Sequence, residues 1–279
     1  MPYARALRWL NDARGEAAWG YLPGGSPRGE PTVWACAAGA SPPLPWLATG
    51  DLEWAILPAA AALSLSSGTE ALRAGWLDTL LGLDPPSMSG QTLDVGEHVD
   101  GFIQGWAWFP ETFSWVEPTC FALLSLARNG RTDHPRYAEG VRLLEDRVCR
   151  DGGWNYGNDE VLGSDLPSYP HSSAWAVLAL PRGHHLVPAG LKRLTGLLER
   201  PSTRSLALAA LASGHHGADP GPYIEPLLAR QAEDGSFGLG RVDRTALAAT
   251  ALRMVSERTT PLTGPVTLPT PPTEEPADG

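Results

Sequence analysis

A chain of 279 residues with 43 % apolar side chains can hold one large domain or two small ones around a sizeable core. Its formal net charge of -10 offers no positive face for phosphates and excludes general nucleic-acid binding. Three cysteines, Cys36, Cys120 and Cys149, exclude a disulfide framework; no CxxC pair exists, and Cys36 and Cys120, inside apolar helix patterns, read as buried thiols.

The first stretch, MPYARALRWLNDARGE, is a charged amphipathic helix, not a basic end followed by an apolar run. No secretory leader is therefore expected, and a cytoplasmic protein is. Tyr3, Ala6, Leu7 and Leu10 share one helical face. Trp19-Gly20-Tyr21 and a Pro/Gly loop follow, and Glu30-Pro31-Thr32 opens a second helix over 33–40.

Next, Pro42, Pro43 and Pro45 leave room for only a short helix near Trp46 and Leu47. Residues 59–65 are small and apolar on all sides, the pattern of a helix buried all round. The longest apolar run, 54–65, contains Pro58 and is too short to span a bilayer, so no transmembrane segment is expected.

The third unit starts with a helix over 69–81, with Leu72, Trp76, Leu80 and Leu81 on one stripe. A long insertion over 84–109 follows, of a length uncommon unless functional. Within it, Asp94, Glu97, His98 and Asp100 offer metal ligands at nonspecific spacing, or an acidic lid. Phe113-Ser114-Trp115 then leads into Glu117-Pro118-Thr119, a second copy of Glu30-Pro31-Thr32, and an apolar helix.

The fourth unit is the best preserved. A helical stripe through Tyr137, Val141, Leu144 and Val148 ends at Asp151-Gly152-Gly153-Trp154, where glycine enters left-handed backbone cheaply. After a polar loop, Tyr169-Pro170-His171 starts the next helix, with proline where its missing N–H costs nothing. The fifth unit has helices over 188–198 and 203–213. The sixth has 223–232, the turn Asp234-Gly235-Ser236-Phe237-Gly238, and 242–255. The pairs His184-His185 and His215-His216 fall in loops and are expected to face solvent.

In each of about six pairs the first helix is amphipathic and the second is rich in Ala and Leu. Such repeats bury a continuous core only by stacking on neighbours. Closing the stack into a ring removes both exposed ends. An all-α fold is therefore expected: one α/α toroid over 1–258, with the apolar helices inside. The Pro-rich acidic stretch 259–279 is expected to be a disordered extension.

The turns Asp151-Gly152-Gly153-Trp154 and Asp234-Gly235-Ser236-Phe237 resemble the glycine-tryptophan repeats of squalene and hopene cyclases and of protein prenyltransferase β subunits. Gln231 to Phe237 fits the full repeat; Val148 and Ala13 stand at the glutamine position of the fourth and first units. The resemblance covers about 3–256 and implies a toroid of six helix pairs handling a small apolar or isoprenoid molecule. Cyclases of this kind protonate an alkene from an Asp-x-Asp-Asp-Thr-Ala motif. Here Arg241-Val242-Asp243-Arg244-Thr245-Ala246 keeps only the middle Asp, the Thr and the Ala, and the two arginines favour the ionised form of Asp243. In prenyltransferases Asp, Cys and His hold zinc. Asp151 and His171 match two of these, with Gly153 in place of the Cys, so no metal ligand set and no cofactor are expected; zinc or magnesium is the alternative.

Parallel inner helices would gather Glu30, Glu117, His171 and Asp243 on one rim. Trp115, Asp151, Trp154, Tyr156 and Tyr169 lie in the loops before it. Locally, each acid satisfies the free N–H groups of its own helix start, and each aromatic packs a turn. Functionally, Asp243 or Glu117 is the acid of an acid-initiated cyclisation or prenyl transfer, with His171 beside them. Glu30, Trp115, Asp151, Trp154, Tyr156 and Tyr169 would then form a substrate-binding mouth whose rings stabilise cations. The alternatives are a non-catalytic toroid binding a lipid, peptide or partner protein, and a hydrolase using rim carboxylates.

Overall fold

A computed structural model describes residues 1–49, 70–82, 99–109, 112–260, 262 and 264–265. In chain order the helices are α1 (Pro2–Asp12), α2 (Gly29–Ala38), α3 (Leu44–Thr49), α4 (Glu70–Gly82), α5 (Val116–Arg128), α6 (Pro135–Asp146), α7 (Pro170–Ala179), α8 (Val187–Gly196), α9 (Thr203–His215), α10 (Gly221–Leu228) and α11 (Val242–Glu257). The buried helix expected at 59–65, most of the 84–109 insertion and the end of the Pro-rich tail lie outside the described residues.

Two kinds of helix alternate. In α6 only Tyr137, Gly140, Leu143 and Leu144 are buried; in α8 only Val187, Gly190 and Leu194 are. That is the single stripe of a helix with one wet face. In contrast, α5 is buried from Val116 to Leu126 and α9 from Ser205 to Gly214. These helices can be surrounded because they are made of Ala, Leu and Ser, which let neighbours approach from every side.

The inner helices follow one another in space as α5, α7, α9, α11 and α2. Each outer helix lies mainly on the inner helix of the preceding unit: α6 on α5, α8 on α7 and α10 on α9. The first outer helix is α1. It lies against α11, the inner helix of the last unit, so the first and last units meet. The result is the all-α toroid.

One hydrogen-bonded unit recurs at the turns. The Trp154 backbone N–H donates to Ser173 Oγ (2.9 Å), and that hydroxyl donates back to the Trp154 carbonyl (3.1 Å). The Trp154 indole N–H donates to the Leu144 carbonyl near the end of α6 (2.7 Å). Trp19 does the same with Thr32 (3.1 Å) and the Leu10 carbonyl (2.6 Å). Phe237, which has no indole N–H, keeps the backbone half with Thr245 (2.9 Å). An aromatic side chain thus welds an outer helix end to an inner helix start, satisfying groups that burial would otherwise leave unpaired.

In the third unit this part is played by Trp106, not by Trp115 as the sequence suggested. Trp106 bonds Thr119 Oγ1 (2.9 Å) and the Leu80 carbonyl (2.9 Å). Trp106, at the end of the expected insertion, therefore takes part in the repeat. Glycine makes room for these rings: a Cβ at Gly140 would stand 2.9 Å from Trp106, and one at Gly190 3.0 Å from Trp154.

Two short hairpins complete the described chain. In the loop before α7, β1 (Glu160–Val161) pairs antiparallel with β2 (Ser164–Asp165). After α11, β3 (Thr259–Thr260) pairs with β4 (Gly264–Pro265). The disordered extension expected from residue 259 thus begins with ordered chain, because Leu262 gives it an apolar anchor that is 1 % exposed.

Candidate functional site

The inner helices are parallel and their starts share a rim. Each carries a polar or charged side chain at its second residue: Glu30 on α2, Glu117 on α5, His171 on α7, Arg204 on α9 and Asp243 on α11. Glu117 and Asp243 are buried and the other three partly so. Helix starts present free N–H groups and a partial positive charge, which suits the acids locally.

The rim residues form two groups. Glu117 Oε1 lies 3.2 Å from His171 Nε2 and accepts from Ser172 Oγ at 3.3 Å. Burial pushes the His171 pKa below its ordinary value; Glu117 opposes this, and Arg204 adds to it. In the second group Glu30 accepts from Tyr21 Oη (2.7 Å) and faces Arg204 at 3.6 Å. Close by, Arg241 pairs with Asp243 at 2.9 Å while stacking on Tyr21 at 4.8 Å.

This arrangement sorts the sequence candidates. Asp243 is buried and paired with Arg241, so its carboxylate already faces a guanidinium group. Asp151 does not join the rim group: its carboxylate accepts from Gly153 N–H, from Ser168 N–H and Oγ, and from Arg193 of α8 (2.7 Å). Burial would raise its pKa, but these hydrogen bonds and the Arg193 charge win and lower it. Asp151 is a clamp of the turn. Trp154 is 0 % exposed and bonded within the repeat, so it has no surface left for a substrate.

Trp115, Tyr156 and Tyr169 do come together. With Phe113, Asn155 and Leu166 they wall a recess of about 150 Å³ outside the rim. Phe113 stacks on Trp115 at 4.8 Å, and Tyr156 meets Tyr169 at 5.2 Å. The His171 ring lies parallel to Tyr169 at 6.2 Å and 5.7 Å from Tyr156, so the Glu117–His171 pair abuts the aromatic recess.

Below the rim, aromatic rings meet across the ring of helices. Trp34 of α2 stacks on Trp175 of α7 at 5.3 Å and meets Phe121 of α5 at 5.8 Å. Phe121 and Trp175 touch edge to face at 4.8 Å. At this level the three rings contact one another. Trp34 Nε1 reaches Glu30 at 3.4 Å, whereas Trp175 Nε1 is buried with no partner among the described residues.

Sequence reading missed Arg204, Ser172 and the Trp34–Phe121–Trp175 cluster. Arg204 was recoverable, since it holds the same helix position as Glu30 and Glu117. Trp106 was too: it precedes its hydroxyl partner Thr119 by 13 residues, as Trp19 precedes Thr32.

For metals, burial pushes Cys36 up to about 12 and Cys149 up to about 11, and Cys120 is well above its ordinary value. No thiolate stands ready to replace the ligand missing beside His171. His185 is exposed, as expected, while His184, His215 and His216 are half-buried. Glu145, His184 and His185 bring one ligand atom each within 4.8 Å of the others. His215 and His216 are partly buried, and His216 Nε2 reaches the Val177 carbonyl at 2.7 Å.

No family model matches the chain, and no curated protein matches it. Among solved structures it is similar to the type II terpene cyclase MstE from Scytonema, solved as a variant in complex with its substrate, geranylgeranyl dihydroxybenzoate. The TM-score is 0.47 and the identity 16 %, over 92 % of this chain and 78 % of that one. Among the described residues no helix is long and apolar enough to cross a membrane.

Proposed function

We propose that the chain is an isoprenoid-handling enzyme of the terpene-cyclase type, in which Glu117 and His171 carry the proton-transfer chemistry. The observation that supports this most is the 3.2 Å contact between a carboxylate 5 % exposed and a histidine that keeps a partly exposed edge beside the aromatic recess. A buried carboxylate fixes the imidazole's orientation and tautomer and stabilises its protonated form. That is the geometry of an oriented acid–base residue. His171 exchanges the proton with substrate and Glu117 positions it. The rings of Trp115, Tyr156 and Tyr169 hold the apolar body and stabilise positive charge. Asp243, tied to Arg241, holds the rim together.

The test is incubation with squalene and with geranylgeranyl diphosphate in deuterated buffer. Acid-initiated cyclisation places one solvent deuteron in the product. Turnover should fall by about 100-fold or more in Glu117→Gln and in His171→Phe, and much less in Asp243→Asn. Full activity of both variants of the pair, or loss confined to Asp243→Asn, overturns the assignment.

The mutual contact of Trp34, Phe121 and Trp175 favours a second reading, a non-catalytic toroid that holds an apolar ligand at the recess. Its signature is a small molecule in the mass spectrum of the native protein, absent from Tyr156→Ala, with no turnover of either polyene.

A further inference from the structure

On the opposite rim, where the inner helices end, a cavity of about 340 Å³ lies between the last turns of α5, α7 and α9 and the β3–β4 hairpin. We propose that it binds a small amphiphile carrying an oxyanion, a carboxylate or phosphate on a short hydrocarbon body.

Three observations converge on this. First, the wall holds both chemistries such a ligand needs. Leu178 and Leu262 are 0 % and 1 % exposed and supply an apolar lining, while the partnered side chains of Arg128 and Arg182 line the same cavity with donors to spare for a further acceptor. Guanidinium groups are the side chains best suited to bind carboxylate or phosphate. Second, His215 lines the cavity, and its Nδ1 is buried without a partner among the described residues. A buried ring nitrogen left without a hydrogen bond costs stability, and a polar ligand group relieves it. Burial and the neighbouring His216 and Arg182 lower the His215 pKa to about 3, so it presents a neutral ring beside the arginines. Third, the cavity is roofed by the hairpin through Leu262 and Gly264, a piece of chain added after the last repeat. The volume lies at the small end of the range for ligand sites, which limits the body to a short chain. The proposal is independent of the chemistry at the other rim.

Calorimetric titration of the full chain with decanoate, decyl phosphate and inorganic phosphate tests it. Decanoate or decyl phosphate should bind one to one, and whichever binds tighter identifies the head group. Inorganic phosphate alone should bind at least about tenfold more weakly, because it leaves the apolar wall empty. Arg182→Gln should weaken binding by about tenfold or more. Thr132→Trp, at an exposed position on the cavity, should block it, and Glu117→Gln should leave it unchanged. On binding, the His215 imidazole nitrogen resonances should shift. No heat with either amphiphile, or binding indifferent to both Arg182→Gln and Thr132→Trp, overturns the proposal.

Discussion

Glu117 Oε1 and His171 Nε2 stand 3.2 Å apart at the starts of two neighbouring inner helices, and Ser172 Oγ donates to the same carboxylate oxygen. The histidine is pulled two ways: burial lowers its pKa and Glu117 raises it, with burial ahead. Removing the carboxylate charge leaves burial and Arg204 unopposed. Glu117→Gln should therefore lower the His171 pKa further below 6.5, as followed by its imidazole resonances in an NMR titration. A pKa that rises or stays constant would mean that Glu117 does not govern His171 electrostatically.

Histidines that fold away from water give this protein an acid limb. The pKa of His215 is lowered from 6.5 to about 3 in the folded chain. As the pH falls below 6.5 the unfolded chain takes up a proton that the folded chain refuses, so stability is lost. The loss continues down to about pH 3 and then levels off. The slope is at most about 1.4 kcal/mol per pH unit for one such group. Urea midpoints between neutral and acid pH should fall less steeply in His215→Leu than in the parent.

Much of this architecture could be read from the sequence, and the reason is physical. The hydrophobic period separates helices with one wet face, such as α6, from helices with none, such as α9, and that distinction sets the two rings. The turn at Trp154 was legible because glycine and an aromatic residue are both needed to cross from one ring to the other. What lay beyond the sequence was which faces meet across the ring. Trp34, Phe121 and Trp175 come from three different units, and no local pattern pairs them. Asp151 likewise takes its partner, Arg193, from another helix. Residue type alone does not say whether a carboxylate is committed. Trp106 was legible only through its 13-residue spacing to Thr119, because a stretch of atypical sequence separates it from its own outer helix.

Trp154 and Tyr156 lie two residues apart and should answer mutation differently. Trp154→Phe keeps most of the ring but strands the Leu144 carbonyl, at a cost of about 1–3 kcal/mol. Tyr156 is 47 % exposed, and Tyr156→Leu should change stability by no more than about 0.5 kcal/mol while removing one wall of the recess. Chemical denaturation of both variants, paired with binding of an apolar fluorescent probe, separates the two roles. Loss of probe binding in stable Tyr156→Leu, with retention in destabilised Trp154→Phe, is the expected pattern.

Closure of the ring depends on a seam that the chain itself does not cross. Within the toroid neighbouring units are tethered covalently, but the sixth meets the first through non-covalent contacts, of α11 with α2 and of α1 with α11 and with the turn around Gly235. Gln231 is the polar centre of that seam. Its amide donates to the Pro2 carbonyl (2.9 Å) and the Gly235 carbonyl (3.1 Å), and its oxygen accepts from Arg5 (2.7 Å). Trp9 adds a bond to Asp234 at 3.1 Å. The glutamine of the repeat is therefore a clamp on the next outer helix, and at this position that helix is the start of the chain. Gln231→Ala should cost about 1–2 kcal/mol, and the loss should be local before it is global. Hydrogen exchange should quicken first in the amides of α1, well before those of α7 or α9. Uniform acceleration across all the inner helices would show instead that α1 holds on through its apolar face, Ala6 and Leu10, without need of the glutamine.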